Sequence, residues 1–249
     1  MPIIHRTLMC CALAAPTLLA SVGVEAKVVV ESNRVIYAEG TKELSVRTQN
    51  AGSGPVLVQA WVSEYGARTP PSQSNAPFVV LPPVVRVDEG KHQVFRLRAL
   101  RSDLPADRES VFTFSLAEIP ATPAGESSSS AVVSIVFRNR LKLFYRPQAI
   151  SKLDAASAID SLRWSVVPQG HGWALQAENN SPFHVSTVRA SITVNGRKTE
   201  ASNVDMLRPY SKHSFPLPGA APTSSGTVTF KYINDHGGDV ERTMPLTTN

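Results

Sequence analysis

Short runs in which apolar and polar residues alternate recur along almost the whole chain, and this pattern limits the fold more than any other feature. Alternation with a period of two buries one face of a strand and leaves the other in water. Glycine- and proline-rich turns separate the runs, and no long run has helical periodicity. The sequence therefore predicts an all-β protein built from sandwiches or barrels. The predicted strands are 28–37, 44–49, 56–65, 92–100, 110–117, 131–145, 163–167, 173–178, 184–194, 214–217, 227–233 and 240–246.

A change of pattern near the middle of the chain predicts two domains. The strand pattern stops at Pro147, and residues 154–162 favour one or two helical turns with Asp154 as N-cap. A boundary within residues 147–152 divides the chain into 27–147 and 148–249, each the size of an immunoglobulin-like sandwich. In the second part, Asn195-Gly196 predicts a two-residue hairpin, because both residue types tolerate positive φ.

The first 26 residues have the pattern of a cleaved secretory signal peptide. A short polar start with Arg6 precedes an apolar core, and Ala26 offers a small residue before the expected cut. A cut after Ala20 is the alternative. The chain's two cysteines, Cys10 and Cys11, lie in this segment, so the mature protein is expected to have no disulfide and no cysteine-based metal site.

Composition and motifs exclude several classes of function. Hydrophobic residues make up 42% of the 249 residues and charged residues 18%, which is typical of a globular protein. The net charge of +5 is interspersed, so no nucleic-acid site is expected. No nucleophile-elbow, phosphate-loop or zinc-protease motif occurs, and the six histidines are dispersed. We therefore expect no catalysis, no metal and no cofactor.

Residues 131–147 form the most informative segment, because the run is too long for an average strand. Its apolar positions alternate, and basic residues follow on the same run. One interpretation is a strand that faces its own core. The other is an edge strand that binds a partner by strand addition, in which backbone pairing gives affinity and alternate side chains fill pockets. The residues concerned are Val133, Ile135, Phe137, Arg138, Arg140 and Lys142.

The segment 141–147, LKLFYRP, resembles the signature of the PapD-like periplasmic pilus chaperones of chaperone–usher systems. Other segments agree with that family in order, so the resemblance covers essentially all of residues 28–246. They are ESNRVIY at 31–37, QAWV at 59–62, Pro82-Pro83 with Arg86 and Glu89-Gly90, DRES at 107–110 with EIP at 118–120, ENNSPF at 178–183, and YINDHGG at 232–238.

This resemblance implies two immunoglobulin-like β-sandwich domains arranged in an L, with a cleft between them. It also implies donor-strand complementation, in which a long strand of the chaperone fills the open groove of an incomplete pilus subunit. Arg34 and Lys142 match the residues that anchor the subunit's terminal carboxylate. Val133, Ile135 and Phe137 match the side chains that plug the groove. Strict alternation puts Lys142 on the face opposite these three, so a bulge, a twist or a change in exposure along the strand is expected.

Glu109, Arg146 and Asp235 match the family's interdomain ion-pair network. The implied partners are pilus subunits and an outer-membrane usher, the implied location is the periplasm, and self-association of the free protein is a further hypothesis. The Ser-rich loop 121–130 is somewhat longer than in the short-loop subclass of that family but lacks a long hydrophobic extension. The resemblance therefore favours the short-loop subclass, and the long-loop subclass stays open. Two alternatives from other classes are a structural pilin- or adhesin-like subunit and a secreted sandwich hydrolase.

Overall fold

The computed structural model describes residues 28–100, 103–120, 136–219 and 225–247. Nearly all regular structure in these ranges is strand, which confirms the all-β class. The strands are β1 (Val28–Val30), β2 (Arg34–Ala38), β3 (Leu44–Asn50), β4 (Val56–Glu64), β5 (Phe78–Leu81), β6 (Val84–Val87), β7 (His92–Ala99), β8 (Ser110–Pro120), β9 (Phe137–Arg146), β10 (Arg163–Gln169), β11 (Gly172–Asn179), β12 (Ser186–Val194), β13 (Arg197–Glu200), β14 (Ser211–Leu217), β15 (Thr227–Ile233) and β16 (Asp239–Pro245).

The first nine strands form a sandwich of two sheets. One sheet has the order β1-β3-β7-β5 and the other has the order β2-β9-β8-β4-β6. Strand β4 shows how alternation builds the core between them, because Val56 and Val58 are buried while Leu57 is exposed. The ring of Tyr37 packs edge-on against Phe78 at 5.6 Å between centroids, across the two sheets. Burial of apolar area at about 25 cal/mol per Å² is the main force that holds such a core together.

The predicted single strand at 28–37 is wrong, because the chain changes sheets within it. Strand β1 pairs with β3 in the first sheet, whereas β2 pairs in parallel with β9 in the second. Between them Ser32 Oγ donates to the carbonyl of Arg34 at 2.7 Å, which satisfies a backbone acceptor in the bend. Strands β5 and β6 were not predicted at all, since each has only four residues and Pro82-Pro83 separates them.

The last seven strands form a second sandwich with its own core. Its sheets have the orders β10-β11-β14 and β13-β12-β15-β16. Trp164 is fully buried at its centre, with its ring 5.0 Å from that of Phe230. The predicted hairpin is confirmed: Asn195 and Gly196 have φ of 49° and 76° and join the paired strands β12 and β13.

A short linking segment joins the two sandwiches. It contains a 3-10 turn at Gln148–Ile150 and one helix, α1 (Ser157–Asp160), so the helical prediction for 154–162 is right in place but too long. Asp154 Oδ1 accepts the Ala156 N–H at 2.9 Å just before this helix. Across the described ranges, no helix is long and apolar enough to cross a membrane. The predicted signal peptide, the loop 121–130 and the positions Val133 and Ile135 lie outside the described residues.

Candidate functional site

Strand β9 lies inside its sheet at one end and at an open edge at the other. It pairs antiparallel with β8 over nine consecutive residues, from Phe137 opposite Glu118 to Tyr145 opposite Ser110. On its other side β2 pairs only with Lys142–Arg146. Within the part of the chain that the structure describes, residues 137–141 therefore have no strand neighbour on that side. Their outward backbone groups are available to a further strand.

Successive side chains of β9 alternate between the two faces of the sheet along the whole described strand. Leu141 and Leu143 are buried in the N-terminal core, and Phe137 follows on the same face at half exposure. Lys142 points to the other face. The register with β8 has no shift across these residues, so no bulge brings Phe137 and Lys142 to one face. Of the three expected explanations, a bulge is absent from this stretch, and the two side chains lie on opposite faces of the same strand.

Arg34 and Lys142 lie directly opposite each other on the parallel pair β2 and β9. Arg34 is only 8% exposed, and its Nη1 donates to the carbonyl of Ile233 in the second sandwich at 2.9 Å. Its Nε is buried and has no hydrogen-bond partner among the described residues, and its guanidinium lies 5.7 Å from the ring centroid of Phe144. The Nζ of Lys142 lies 5.8 Å from the ring centroid of Tyr65.

Neither of these two cations forms an ion pair with a described carboxylate. Burial lowers the pKa of Arg34, and the charges of Asp235 and Glu109 only partly oppose this. Burial also lowers the pKa of Lys142, with Asp205 opposing and Arg34 adding to the effect. Two partly desolvated cations side by side form a site that a carboxylate would stabilise through charge-assisted hydrogen bonds.

A partly buried ion-pair network joins the two sandwiches beside this site. Arg146 binds Glu109 through Nε at 2.8 Å, and its two terminal nitrogens bind both carboxylate oxygens of Asp235 at 2.7 and 2.9 Å. The structure thus brings together the three charged residues singled out in the sequence. Burial alone would lower the pKa of Arg146, but its hydrogen bonds and ion pairs with Asp235 and Glu109 raise it above its ordinary value.

His184 completes this network and was not predicted. Its backbone N–H and its Nδ1 each lie 2.9 Å from Glu109 Oε2, and the Glu109 N–H donates to Pro182 at 2.9 Å. The side chains of His184 and Glu109 are 4% and 1% exposed, so their polar atoms depend on each other for hydrogen bonds. Only the position of His184 directly after the ENNSPF segment could have indicated it.

A cavity of about 350 Å³ lies between the two sandwiches next to these groups. Arg34, Arg146 and His184 line it from the network side, and Asp154 of the linking segment and Arg242 of β16 line the other side. Within the described ranges no cluster of three or more histidine, cysteine, aspartate or glutamate residues could hold a metal ion. The site is a cleft lined by fixed cations.

Two sandwiches joined by a partly buried ion-pair network, with a strand whose edge is half open, define the architecture of a pilus-assembly chaperone. Two family models match this chain: "Pili and flagellar-assembly chaperone, PapD N-terminal domain" over residues 27–151, and "Pili assembly chaperone PapD, C-terminal domain" over residues 157–244. The chain belongs to this family of PapD-like pilus chaperones.

Individual relatives agree with this assignment. The probable fimbrial chaperone YadV of Escherichia coli is 33% identical over 87% of this chain and 88% of its own length. The chaperone protein FimB/FhaD of Bordetella pertussis is 35% identical over 86% of this chain and 85% of its own length.

Solved structures share the fold. The crystal structure of YadV has a TM-score of 0.74 and 31% identity, and the match covers 89% of this chain and 100% of YadV. The SafB chaperone of Salmonella enterica, solved in complex with the SafA pilin, has a TM-score of 0.71 and 26% identity over 89% of this chain and 96% of the other. These matches confirm the predicted two-domain fold and the resemblance, and they do not favour the pilin-like or hydrolase alternatives.

Proposed function

We propose that this chain is a periplasmic chaperone that captures pilus subunits by donor-strand complementation and delivers them to an outer-membrane usher. The single observation that carries this proposal is the open edge of β9 at residues 137–141, which ends beside Arg34 and Lys142. An incoming strand can pair with that edge while its terminal carboxylate binds the two cations. The SafB–SafA complex supports the proposal, because there a chaperone with the same fold holds a pilin.

The anchor and the edge act together in this proposal. A carboxylate fixed between Arg34 and Lys142 sets the register of the added strand, and a slip of one residue would turn every side chain to the wrong face. The plugs Val133, Ile135 and Phe137 then enter the groove of the subunit. Each such side chain contributes roughly 1.5–3 kcal/mol when it is fully buried, before the cost of ordering the partners.

The remaining assignments belong to the same proposal. Residues 1–26 act as a cleaved signal peptide, residues 27–147 form the domain that donates the strand, and residues 148–249 form the second domain. The chaperone works by binding alone, without catalysis or a cofactor. Glu109, Arg146 and Asp235 set the angle between the domains, a conformational specificity that buried ionic groups provide in some proteins.

Co-purification from the periplasm tests the proposal. The C-terminally tagged chain is produced together with its neighbouring genes, and wild type is compared with Arg34→Ala/Lys142→Ala. We expect a one-to-one complex with a small secreted subunit that is lost in the double variant. Capture by the variant would discard the anchor but keep the chaperone function. A folded chain that captures none of the co-produced subunits would contradict the function.

Self-association of the free protein follows from the same open edge. A strand edge with exposed apolar side chains pairs with another copy unless it is covered. Size exclusion at several concentrations should show dimers of the free protein and none once a subunit is bound. A free chain that stays monomeric at every concentration would contradict this hypothesis.

A further inference from the structure

The outer face of the five-stranded sheet, which points away from the N-terminal core, has cations but no acidic residue in its strands. Alternation and burial place these positions on that face: Arg34, Ile36 and Ala38 on β2; Leu57, Gln59, Trp61 and Ser63 on β4; Val84 and Arg86 on β6; Val111, Thr113, Ser115, Ala117 and Ile119 on β8; Arg138, Arg140, Lys142, Phe144 and Arg146 on β9. Four of the five positions on β9 are basic, and three of them, Arg138, Arg140 and Lys142, follow one another at a spacing of two residues.

The basic side chains of β9 lie across small residues of β8. Arg138, Arg140 and Lys142 stand directly opposite Ala117, Ser115 and Thr113, respectively. Short side chains at these positions leave room for the long cations to cross toward β4 and the loop that follows it. The cations therefore cover apolar surface with their stems while they present charge at the face.

The charged groups of these three side chains contact uncharged groups, namely aromatic rings and a backbone carbonyl. The guanidinium of Arg138 lies 4.9 Å from the ring centroid of Trp61, which is 6% exposed. In the described part of the chain, the buried Nε1 of Trp61 has no hydrogen-bond partner. Arg140 donates to the carbonyl of Ala67, and Lys142 stacks on Tyr65. Cation–π contacts and a carbonyl acceptor orient the charges but leave them positive.

Arg138 and Arg140 differ from Arg146, on the same strand, in whether an acidic partner neutralises their charge. Arg146 is neutralised by Glu109 and Asp235. Of the described carboxylates, none lies within ion-pair distance of Arg138 or Arg140. Like charges at neighbouring positions repel each other, so this face is stabilised by a partner that supplies negative charge. The face is also continuous with the open edge of β9.

We infer that the captured subunit presents an extended acidic segment to this face, with two carboxylates at positions i and i+2 facing Arg138 and Arg140. Two residues of an extended chain span about 6.6 Å, which equals the spacing of alternate residues on β9. This inference rests on the proposed function, since the segment belongs to the subunit that β9 binds. It adds a second recognition element, for acidic side chains, to the anchor for the terminal carboxylate.

Synthetic peptides test this inference. The probes are two labelled peptides of about 14 residues, with valine at alternate positions and a free C-terminal carboxylate. They differ only at two intervening positions, i and i+2, which hold aspartate in one and asparagine in the other. Shifting this pair along the peptide samples different distances from the anchored end. We expect the best aspartate peptide to bind roughly tenfold more tightly than its asparagine twin at low salt, and the difference to shrink at high salt.

Two pairs of charge-reversal variants identify the surface. Arg138→Glu/Arg140→Glu should remove the preference for aspartate and leave the asparagine peptide bound. Arg47→Glu/Arg98→Glu is the matched control, because both residues are exposed strand arginines on the outer face of the other sheet. It should leave the preference intact. If the reversal at β9 lowers stability, Arg138→Gln/Arg140→Gln replaces it, with the same expectation.

The outcomes separate this inference from the function on which it rests. Equal binding of the two peptides at low salt, or an equal effect of the control pair, would overturn the acidic segment and leave strand addition in place. Binding that does not weaken when the C-terminal carboxylate is amidated would discard the anchor at Arg34 and Lys142. If neither peptide binds, strand addition and the inference both fail.

Discussion

Arg34 and Lys142 are register partners on two parallel strands, yet they are held by different parts of the molecule. Arg34 binds a carbonyl of the second sandwich at Ile233, whereas Lys142 stacks on Tyr65 of the first. Since no described carboxylate pairs with either cation, their proximity has an electrostatic cost in the free protein. A ligand carboxylate would offset that cost, so the proposed anchor depends on both domains keeping their relative position.

Replacing Lys142 by alanine should weaken capture without unfolding the chain. Loss of one charge-assisted hydrogen bond costs about 1.5–3 kcal/mol, which corresponds to a loss of affinity of roughly 10- to 100-fold. Binding of a subunit or of a peptide with a free terminal carboxylate measures it. Lys198→Ala, at an exposed lysine of the second sandwich, is the control and should bind normally. Unchanged affinity in Lys142→Ala would remove the anchor assignment.

Binding of the carboxylate should also weaken at alkaline pH, and it should do so at a lower pH than if Lys142 had the pKa of an ordinary lysine. Burial lowers the pKa of Lys142 below its usual value of 10.5, and the bound carboxylate favours the charged form. Affinity is therefore expected to fall as the pH rises through the lowered pKa. Lys142→Arg should keep its affinity there, because arginine stays protonated. Titration of peptide affinity from about pH 7 to about pH 10.5 measures the difference; parallel curves for the two proteins would contradict this prediction.

The same pKa shift has a consequence for stability with a definite sign. The folded protein holds the Lys142 proton less tightly than the unfolded chain, so charged Lys142 destabilises the fold at neutral pH. This penalty is relieved as the pH rises from the lowered pKa toward that of the unfolded state. Lys142→Met should therefore unfold at equal or higher urea than wild type at neutral pH, with a gap that narrows at alkaline pH. A variant that is less stable at neutral pH would contradict this.

The sequence predicted the sandwiches from local alternation, and its family motifs named the candidate site residues. Alternation along β4 and β7 identified core and surface, and the LKLFYRP segment identified the strand that includes Lys142. The switch of β1 and β2 between sheets was not predictable, since both halves have the same apolar alternation and only their pairing differs. Register between distant strands is a property of the folded chain.

The contact between His184 and Glu109 in the site was likewise not predictable from the sequence. A single histidine between Phe183 and Val185 is compatible with a core position, a surface position or a binding role. Only the folded chain brings it to Glu109, which is 75 positions away in sequence. The charged residues of the network were found through their motifs, whereas their fourth member became visible only through its contact.

Phe137→Asp should weaken subunit binding, because Phe137 lies on the donor face, which is the face of β9 whose side chains are proposed to plug the groove of the subunit. Phe137 is half-buried at the open edge of β9, on the face that continues the core. A carboxylate there would enter an apolar groove without a partner, so we expect a loss of at least about tenfold in affinity with the fold retained. Val94→Asp, at an exposed strand position of the other sheet, is the control. If both variants bind like wild type, the donor face is misassigned.

Arg146→Ala should destabilise the protein far more than Asp235→Ala. Removing Arg146 leaves the carboxylate of Glu109, which is 1% exposed, without its cation, and breaking a buried pair in this way costs about 3–5 kcal/mol. The Asp235 side chain is 39% exposed, so solvent screens its loss and about 1 kcal/mol or less is expected. Because His184 still hydrogen-bonds to Glu109 in Arg146→Ala, the loss of stability in this variant is expected at the lower end of that range. Urea unfolding of both variants measures the free energies. Equal losses would show that Asp235, rather than the buried Glu109, is the partner on which the junction between the two sandwiches depends.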